Sequence, residues 1–243
     1  MILIFDFFET LVHNKSKDFA RGFKIFWEKY YREKCSFEEI QKYADEMLGH
    51  LLDLHKAGKE FAFVKDQLPK YALKYGGEPI SLTAEEEADL LMRCNEMDTM
   101  PGIREALAKF QEIGIPMYVL SNSSFTAEAL SVILHRLGIG HFFTEVWSSA
   151  DFGRIKPCRD FFEMGIEKAL QDNPGAERKD ILFVGDTYET DVIGAQKAGI
   201  DAVWINHRDA DAEHADQRSV HMISGTEELE KVIMNIKIGQ ERV

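Results

Sequence analysis

Cysteine is scarce in this chain. It has three in 243 residues, Cys35, Cys94 and Cys158, widely spaced and odd in number. They make neither a disulfide framework nor the close pairs of a structural zinc site, so a reducing compartment is expected. Long apolar runs are missing too, and none approaches the length of a membrane span. The apolar stretch at residues 1–5 is cut short by Asp6 and has no basic leader or small-residue cleavage site, so it does not read as a signal peptide. A cytoplasmic protein is the resulting expectation. Basic charge is also short: 29 Lys and Arg face 42 Asp and Glu, a formal net charge of −13. That balance argues against nucleic-acid and anionic-membrane partners, which call for a basic patch. There is no internal repeat and no low-complexity tract. What remains is an ordinary globular balance, 45% hydrophobic and 29% charged, which excludes wholesale disorder. The length allows one large domain, or a main domain with a smaller one inserted.

Residues 2–5 form a short continuous apolar run of the kind found in buried parallel strands. From about residue 16 to 97 the signal is helical. Phe19, Phe23, Phe26, Trp27 and Tyr30 share one face. Capping boxes at Ser36–Glu39 and Thr83–Glu86 open two further helices, and residues 61–75 carry another helical pattern. After Pro101-Gly102 the chain alternates. Strands are expected over 116–120, 143–147, 181–184 and 202–205, and helices over 103–113, 126–137, 159–170, 190–198 and 227–236. The fold class is therefore α/β, a Rossmann-like parallel sheet with helices on both faces. The first strand belongs to this sheet, so the helical stretch interrupts it. A core of residues 1–13 and 98–243 with an inserted all-helical unit of 14–97 follows.

In open parallel sheets ligands bind at the carboxyl ends of the strands. The first strand here runs into Asp6, the next into Ser121, and a later one into Asp186, with Asp191 five residues on. Lys156 precedes a helix. Three carboxylates, a hydroxyl and an ammonium gathered at one sheet edge suit nucleophilic displacement at phosphorus. A carboxylate attacks, a hard cation such as Mg²⁺ relieves the repulsion among the acids, and Lys156 and Ser121 hold phosphoryl oxygens.

The order Phe5-Asp6-Phe7-Phe8-Glu9-Thr10-Leu11, Leu120-Ser121-Asn122, Lys156-Pro157 and Val184-Gly185-Asp186-Thr187-Tyr188-Glu189-Thr190-Asp191 resembles the four motifs of the haloacid dehalogenase-like hydrolase superfamily. The helical insertion sits where its subclass I members carry a cap. The resemblance implies Asp6 as nucleophile, with Ser121 and Lys156 as its catalytic partners. It places Phe8, Thr10, Ser121, Asn122 and Lys156 around the substrate. It implies Mg²⁺ held by Asp6, the backbone carbonyl of Phe8 and Asp186, with Asp191 in support. The activity it implies is that of a phosphatase acting on a small phosphorylated compound. A monomer or homodimer is the separate expectation for its assembly.

One position departs from the pattern. Superfamily phosphatases usually carry a second Asp, the general acid and base, where this chain has Phe8. Glu9 is the nearest substitute, but alternation along extended chain turns it the other way. Phe8 fits the 2-haloacid dehalogenases, which are metal-free and bear a bulky aromatic there. Gly185-Asp186 and Asp191 fit the metal-dependent members. A dehalogenase also needs a cap Arg for the halide, for which Arg21 and Arg32 are the candidates. A binding or regulatory protein on this scaffold is the third reading.

Several features have plainer readings. His207, His214 and His221 recur amid Asp209, Asp211 and Asp216 and read as a polar surface loop. Lys15, Lys17, Arg21 and Lys24 read as a solvated helix face. The aromatics at 19–27, 61 and 63 read as core of the helical unit, with one or two lining a substrate cavity. The acidity is uneven: residues 14–97 hold 14 of the basic and 16 of the acidic residues, so most of the negative charge lies in the α/β part. An anionic substrate then needs a local cation.

Overall fold

The computed structural model describes residues 1–78, 80–207 and 219–240. The chain runs β1 (Ile2–Phe5), β2 (Val12–Lys17), α1 (Phe19–Tyr30), α2 (Phe37–Lys56), α3 (Leu68–Tyr75), α4 (Ala84–Cys94) and β3 (Asn95–Thr99). It continues with α5 (Ile103–Glu112), β4 (Met117–Ser121), α6 (Ala127–Arg136), β5 (Glu145–Ser148), α7 (Ser149–Phe152) and α8 (Arg159–Asp172). The last part is β6 (Ile181–Gly185), α9 (Ile193–Lys197), β7 (Asp201–Ile205), β8 (Val220–Ile223) and α10 (Leu229–Gln240).

Six strands form one parallel sheet in the order β5-β4-β1-β6-β7-β8. Its strands are apolar on both faces because helices cover both. Leu3, Phe5, Met117, Val119, Leu182, Val184 and Val203 pack with residues of α5, α6 and α10. Ile2, Ile4, Tyr118, Leu120, Ile181, Phe183 and Trp204 pack with residues of α8 and α9 on the other side. Alternate residues of each strand thus enter opposite cores. The order reverses around β1, so the strand ends of β1, β4 and β6 open into the crevice where such sheets take ligands.

The helical segment has its own aromatic core of Phe26, Tyr31, Ile40, Phe63, Leu68 and Tyr71, among others. Both expected capping boxes are present, Ser36 with Glu39 and Thr83 with Glu86. The helix expected from residue 61 begins two residues later as a wide turn at Phe63–Gln67 that leads into α3.

Two strand features differ from the sequence reading. β2 and β3 pair antiparallel as a ribbon through which the chain enters and leaves the helical segment. His221 lies in β8, an edge strand of the main sheet paired with β7, and not in a polar loop. His214, Asp209, Asp211 and Asp216 lie outside the described residues. Among the described residues, no helix is long and apolar enough to cross a membrane.

Candidate active site

Three β-strand ends, one wide turn and one loop deliver the polar residues. Asp6 follows β1, and its N–H donates to the Val184 carbonyl of β6 at 2.8 Å, which fixes its backbone against the neighbouring strand. Asp186 follows β6. Asp191 sits in the wide turn Tyr188–Val192 that leads into α9. Ser121 ends β4. Lys156 reaches the cluster from the loop before α8 and is 1% exposed.

The Lys156 Nζ donates to Asp6 Oδ1 at 2.5 Å and to Asp191 Oδ1 at 2.7 Å. Oxygens of Asp6, Asp186 and Asp191 lie within 4.8 Å of one another. Asp191 is further held by the Thr187 N–H at 3.0 Å, and Asp186 by the Thr187 hydroxyl at 3.1 Å. The approach of Asp191 requires Gly185, since a Cβ there would collide with the Asp191 carboxylate. The sequence therefore reads Gly at the strand end for a steric reason.

Charge in this cluster is unbalanced. Burial pushes the Asp6 carboxyl up to about 7; Lys156 opposes this, while Asp191 and Asp186 add to it. Burial also raises Asp186, with Asp191 reinforcing the shift. For Lys156, burial works against the ammonium, but Asp191 and Asp6 outweigh it and hold its pKa above the ordinary value. Three carboxylates around one ammonium, all oxygen donors, form a set that a hard divalent cation fits.

The remaining sequence candidates fall into different positions. The Ser121 hydroxyl is buried with no hydrogen-bond partner among the described residues, and so is that of Thr10. An unsatisfied buried hydroxyl is uncommon and marks a place for a further oxygen. The Asn122 carboxamide is engaged at both ends by the Lys156 backbone, donating to its carbonyl at 3.1 Å and accepting its N–H at 2.7 Å. It positions Lys156, a role not foreseen in the sequence. Phe8 is half-buried, with its ring 4.8 Å from that of Phe7. Glu9 has a left-handed backbone, φ 56°. Its carboxylate accepts the Asn14 N–H at 3.0 Å and lies 2.9 Å from His13 Nδ1.

A cavity of about 520 Å³ lies between the helical segment and the loops after β1 and β4. Phe8 and Asn122 belong to its wall, as do Phe19, Phe23 and Phe63 from the helical side. Asp6, Thr10, Ser121 and Lys156 do not. Arg21 and Arg32 are also elsewhere: the Arg21 Nε donates to the Arg93 carbonyl at 2.8 Å, and Arg32 pairs with Glu33 on the surface. Lys15 pairs with Asp98, also on the surface.

Sequence reasoning missed Glu60. This buried carboxylate from the helical segment accepts the Ser149 hydroxyl at 2.6 Å and the Ser124 hydroxyl at 3.1 Å, beside the loop that follows β4. A lone Glu between two helical patterns carries no spacing signal, so only the tertiary contact reveals it.

Comparison with known proteins agrees with this geometry. The chain is 28% identical to (S)-2-haloacid dehalogenase 2 of Pseudomonas sp. (strain CBS-3) over 69% of its length and 70% of that protein's. It is 26% identical to the glyceraldehyde 3-phosphate phosphatase of Methanocaldococcus jannaschii over 56% of its length, spanning 57% of that relative. The crystal structure of a 2-haloacid dehalogenase from Pseudomonas syringae pv. Tomato DC3000 superposes with a TM-score of 0.68 at 19% identity, covering 97% of this chain and 100% of that one, a likeness of fold. A family model for haloacid dehalogenase-like hydrolases matches residues 1–199. With most of its length matched and the four motif segments converging at the strand ends of one sheet, the chain belongs to the haloacid dehalogenase-like hydrolases.

Proposed function

We propose that this hydrolase is a Mg²⁺-dependent phosphatase acting on a small phosphorylated compound, with Asp6 as nucleophile. The observation that carries the reading is the Asp6, Asp186 and Asp191 cluster around buried Lys156. Asp6, Asp186 and Asp191, with the Phe8 carbonyl, would hold the ion. Bound there, Mg²⁺ would supply charge neutralisation for phosphoryl oxygens.

The chain's own residues do the rest. Asp6 attacks phosphorus and forms an aspartyl-phosphate, while the leaving oxygen takes the bonding electron pair. Lys156 keeps the Asp6 carboxylate oriented and offsets the charge of the incoming phosphoryl group. The unpartnered Ser121 hydroxyl is available to a phosphoryl oxygen. Water then attacks the phosphorus of the intermediate, releasing phosphate and restoring Asp6. In this reading the helical segment serves as a cap that excludes bulk water during the first step.

Phosphate release with and without EDTA tests the proposal. Turnover that requires Mg²⁺ and vanishes in Asp6→Asn supports it; metal-independent turnover sinks it.

Phe8 favours a second reading, a metal-free 2-haloacid dehalogenase. The cavity wall counts against it, since a halide needs a cation and no Arg or Lys occurs in that wall among the described residues. Halide release from 2-haloacids would revive it.

A further inference from the structure

Phe8 and the cavity above it bear on the substrate, an inference that rests on the phosphatase reading. We infer that the substrate carries its phosphoryl group on a weakly basic oxygen and has an apolar body without a second negative charge. Phenol-type phosphates and acyl phosphates with hydrophobic bodies share this chemistry.

The leaving oxygen comes first. No proton donor stands at Phe8. Glu9 cannot replace it, because both its carboxylate oxygens are engaged, one by the Asn14 N–H and the other by His13. The other titratable groups in the cavity wall, His55, Asp45 and Cys94, belong to α2 and α4 on its helical side, and His55 pairs with buried Glu60 at 3.1 Å; outside the wall, the His207 Nε2 is bonded to the Glu9 carbonyl at 2.9 Å. Cys94 is a thiol that burial pushes up to about 12 and is no acid at neutral pH. The Asp6 oxygen therefore forms its bond to phosphorus while the bond to the leaving oxygen breaks. That oxygen departs with the electron pair as phenolate or carboxylate, with no proton transferred in the step. General acid assistance is typically worth about 10²–10⁴ in rate. An alkoxide leaving group needs that help, whereas a phenolate or carboxylate does not.

The body follows from the wall. Its surface is mostly apolar, with Phe8, Phe19, Phe23, Leu48, Leu51 and Phe63 among the residues that supply it, and no Lys or Arg lines it among the described residues. Much of its polar edge is already bonded within the protein. Gln67 Nε2 donates to the Phe61 carbonyl at 2.7 Å, and Asn95 Nδ2 to the Leu91 carbonyl at 3.0 Å. Asn122 is engaged by Lys156. Asn14 keeps a buried carbonyl oxygen without a partner among the described residues, room for one N–H or O–H donor on the body. A sugar ring would lose water from several hydroxyls here with few unbonded groups to replace it, and a second phosphate would meet no Lys or Arg, while the wall's His55 is already paired with Glu60.

The test measures kcat/KM for the Mg²⁺-loaded protein. Its panel comprises phenyl phosphates of graded phenol acidity, 1-naphthyl phosphate, benzoyl and acetyl phosphate, hexyl phosphate and glycerol 3-phosphate. The expected result is a steep fall in rate as the leaving oxygen becomes more basic, with hexyl phosphate about 10²–10⁴-fold below aryl phosphates. Benzoyl should exceed acetyl phosphate, and naphthyl should have a lower KM than phenyl. The aryl and acyl arms identify which source the site prefers. Phe8→Asp should flatten the dependence and open the alkyl ester to turnover. The slope of the unaltered protein decides the matter even if that variant fails to fold. Equal rates on hexyl and aryl phosphates, or a preference for glycerol 3-phosphate, would overturn the inference while leaving the phosphatase reading intact. No phosphate from any compound, with no aspartyl-phosphate trapped at Asp6, would remove both.

Discussion

Asn122 and Lys156 hold each other through the main chain: one carboxamide bonds both the N–H and the carbonyl of the lysine residue. The residue after β4 thus fixes the loop that carries the ammonium between Asp6 and Asp191. The second and third motifs are one mechanical unit, and the strand end sets the reach of a long, otherwise flexible side chain.

Asn122→Ala should therefore act through Lys156. Two partly buried hydrogen bonds to backbone are lost, a destabilisation of about 1–3 kcal/mol. The larger effect should fall on kcat, with KM little changed, because both ends of the Asn122 carboxamide are taken by the Lys156 backbone. Steady-state kinetics with urea unfolding checks both. A KM effect with unchanged kcat would assign Asn122 to substrate contact instead.

Lys156→Met should be worse. It removes the one ammonium among three carboxylates, and breaking a buried ion pair typically costs about 3–5 kcal/mol. Asp6, already raised to about 7 with Lys156 beside it, loses the attraction that holds it down. Activity should disappear across the accessible pH range, and the urea midpoint should fall. The double variant Lys156→Met/Asp6→Asn should recover part of the lost stability and none of the activity.

Two buried glutamates at the join between the helical segment and the α/β core should show opposite pH behaviour. Burial alone would raise Glu60, but hydrogen bonds from His55, Ser149 and the Phe61 N–H prevail and hold it below its ordinary 4.5. Its stabilisation is present above 4.5 and is lost as pH falls through its lower folded value. Glu87 is raised above 4.5 by burial, although the Thr126 hydroxyl and N–H bond it. Its contribution is full below 4.5 and is lost as pH rises through its folded value. At pH 7, Glu60→Gln should lower the urea midpoint and Glu87→Gln should leave it equal or higher. The reverse ordering would contradict the assignment.

Added Mg²⁺ should raise thermal stability, since an ion bound to the folded state alone stabilises it by mass action, about 2.7 kcal/mol at 100 times Kd. Asp186→Asn should weaken this response, and EDTA should abolish it. A melting temperature indifferent to Mg²⁺ at millimolar concentration would count against a metal at this cluster.

The apolar runs at residues 2–5, 116–120 and 181–184 were legible because buried parallel strands need no alternation. The residues that close them, Asp6, Ser121 and Asp186, could be read at once as one sheet edge. The β2–β3 ribbon was not legible: His13, Asn14, Glu96 and Asp98 break any apolar run, only Val12 and Met97 join the core, and the strands are held by backbone pairing and polar contacts such as Lys15 with Asp98. β8 was hidden for a similar reason, as His221 interrupts a four-residue edge strand. The cluster's membership was readable from motif spacing, but the direction of Asn122 was not. Its amide could serve substrate or backbone equally well, and only the cross-loop distance to Lys156 decides.

Gly185→Ala gives the most local test of the cluster. Gly185 lies within β6, buried, and its missing Cβ is the space that the Asp191 carboxylate occupies. The backbone there is no obstacle to alanine, so any effect comes from the methyl group against Asp191. Asp191 cannot yield without releasing the Thr187 N–H and the Lys156 ammonium, and it is 1% exposed. Overpacking of this kind typically costs about 1–3 kcal/mol. Activity should fall further than stability alone implies, because Lys156 would then be anchored to Asp6 on one side only. Asp191→Asn keeps the shape but weakens the charge, so it separates the two causes. If Gly185→Ala is inactive while Asp191→Asn retains most activity, the position of Lys156 matters more than the third carboxylate. If both are equally impaired, the carboxylate itself is required.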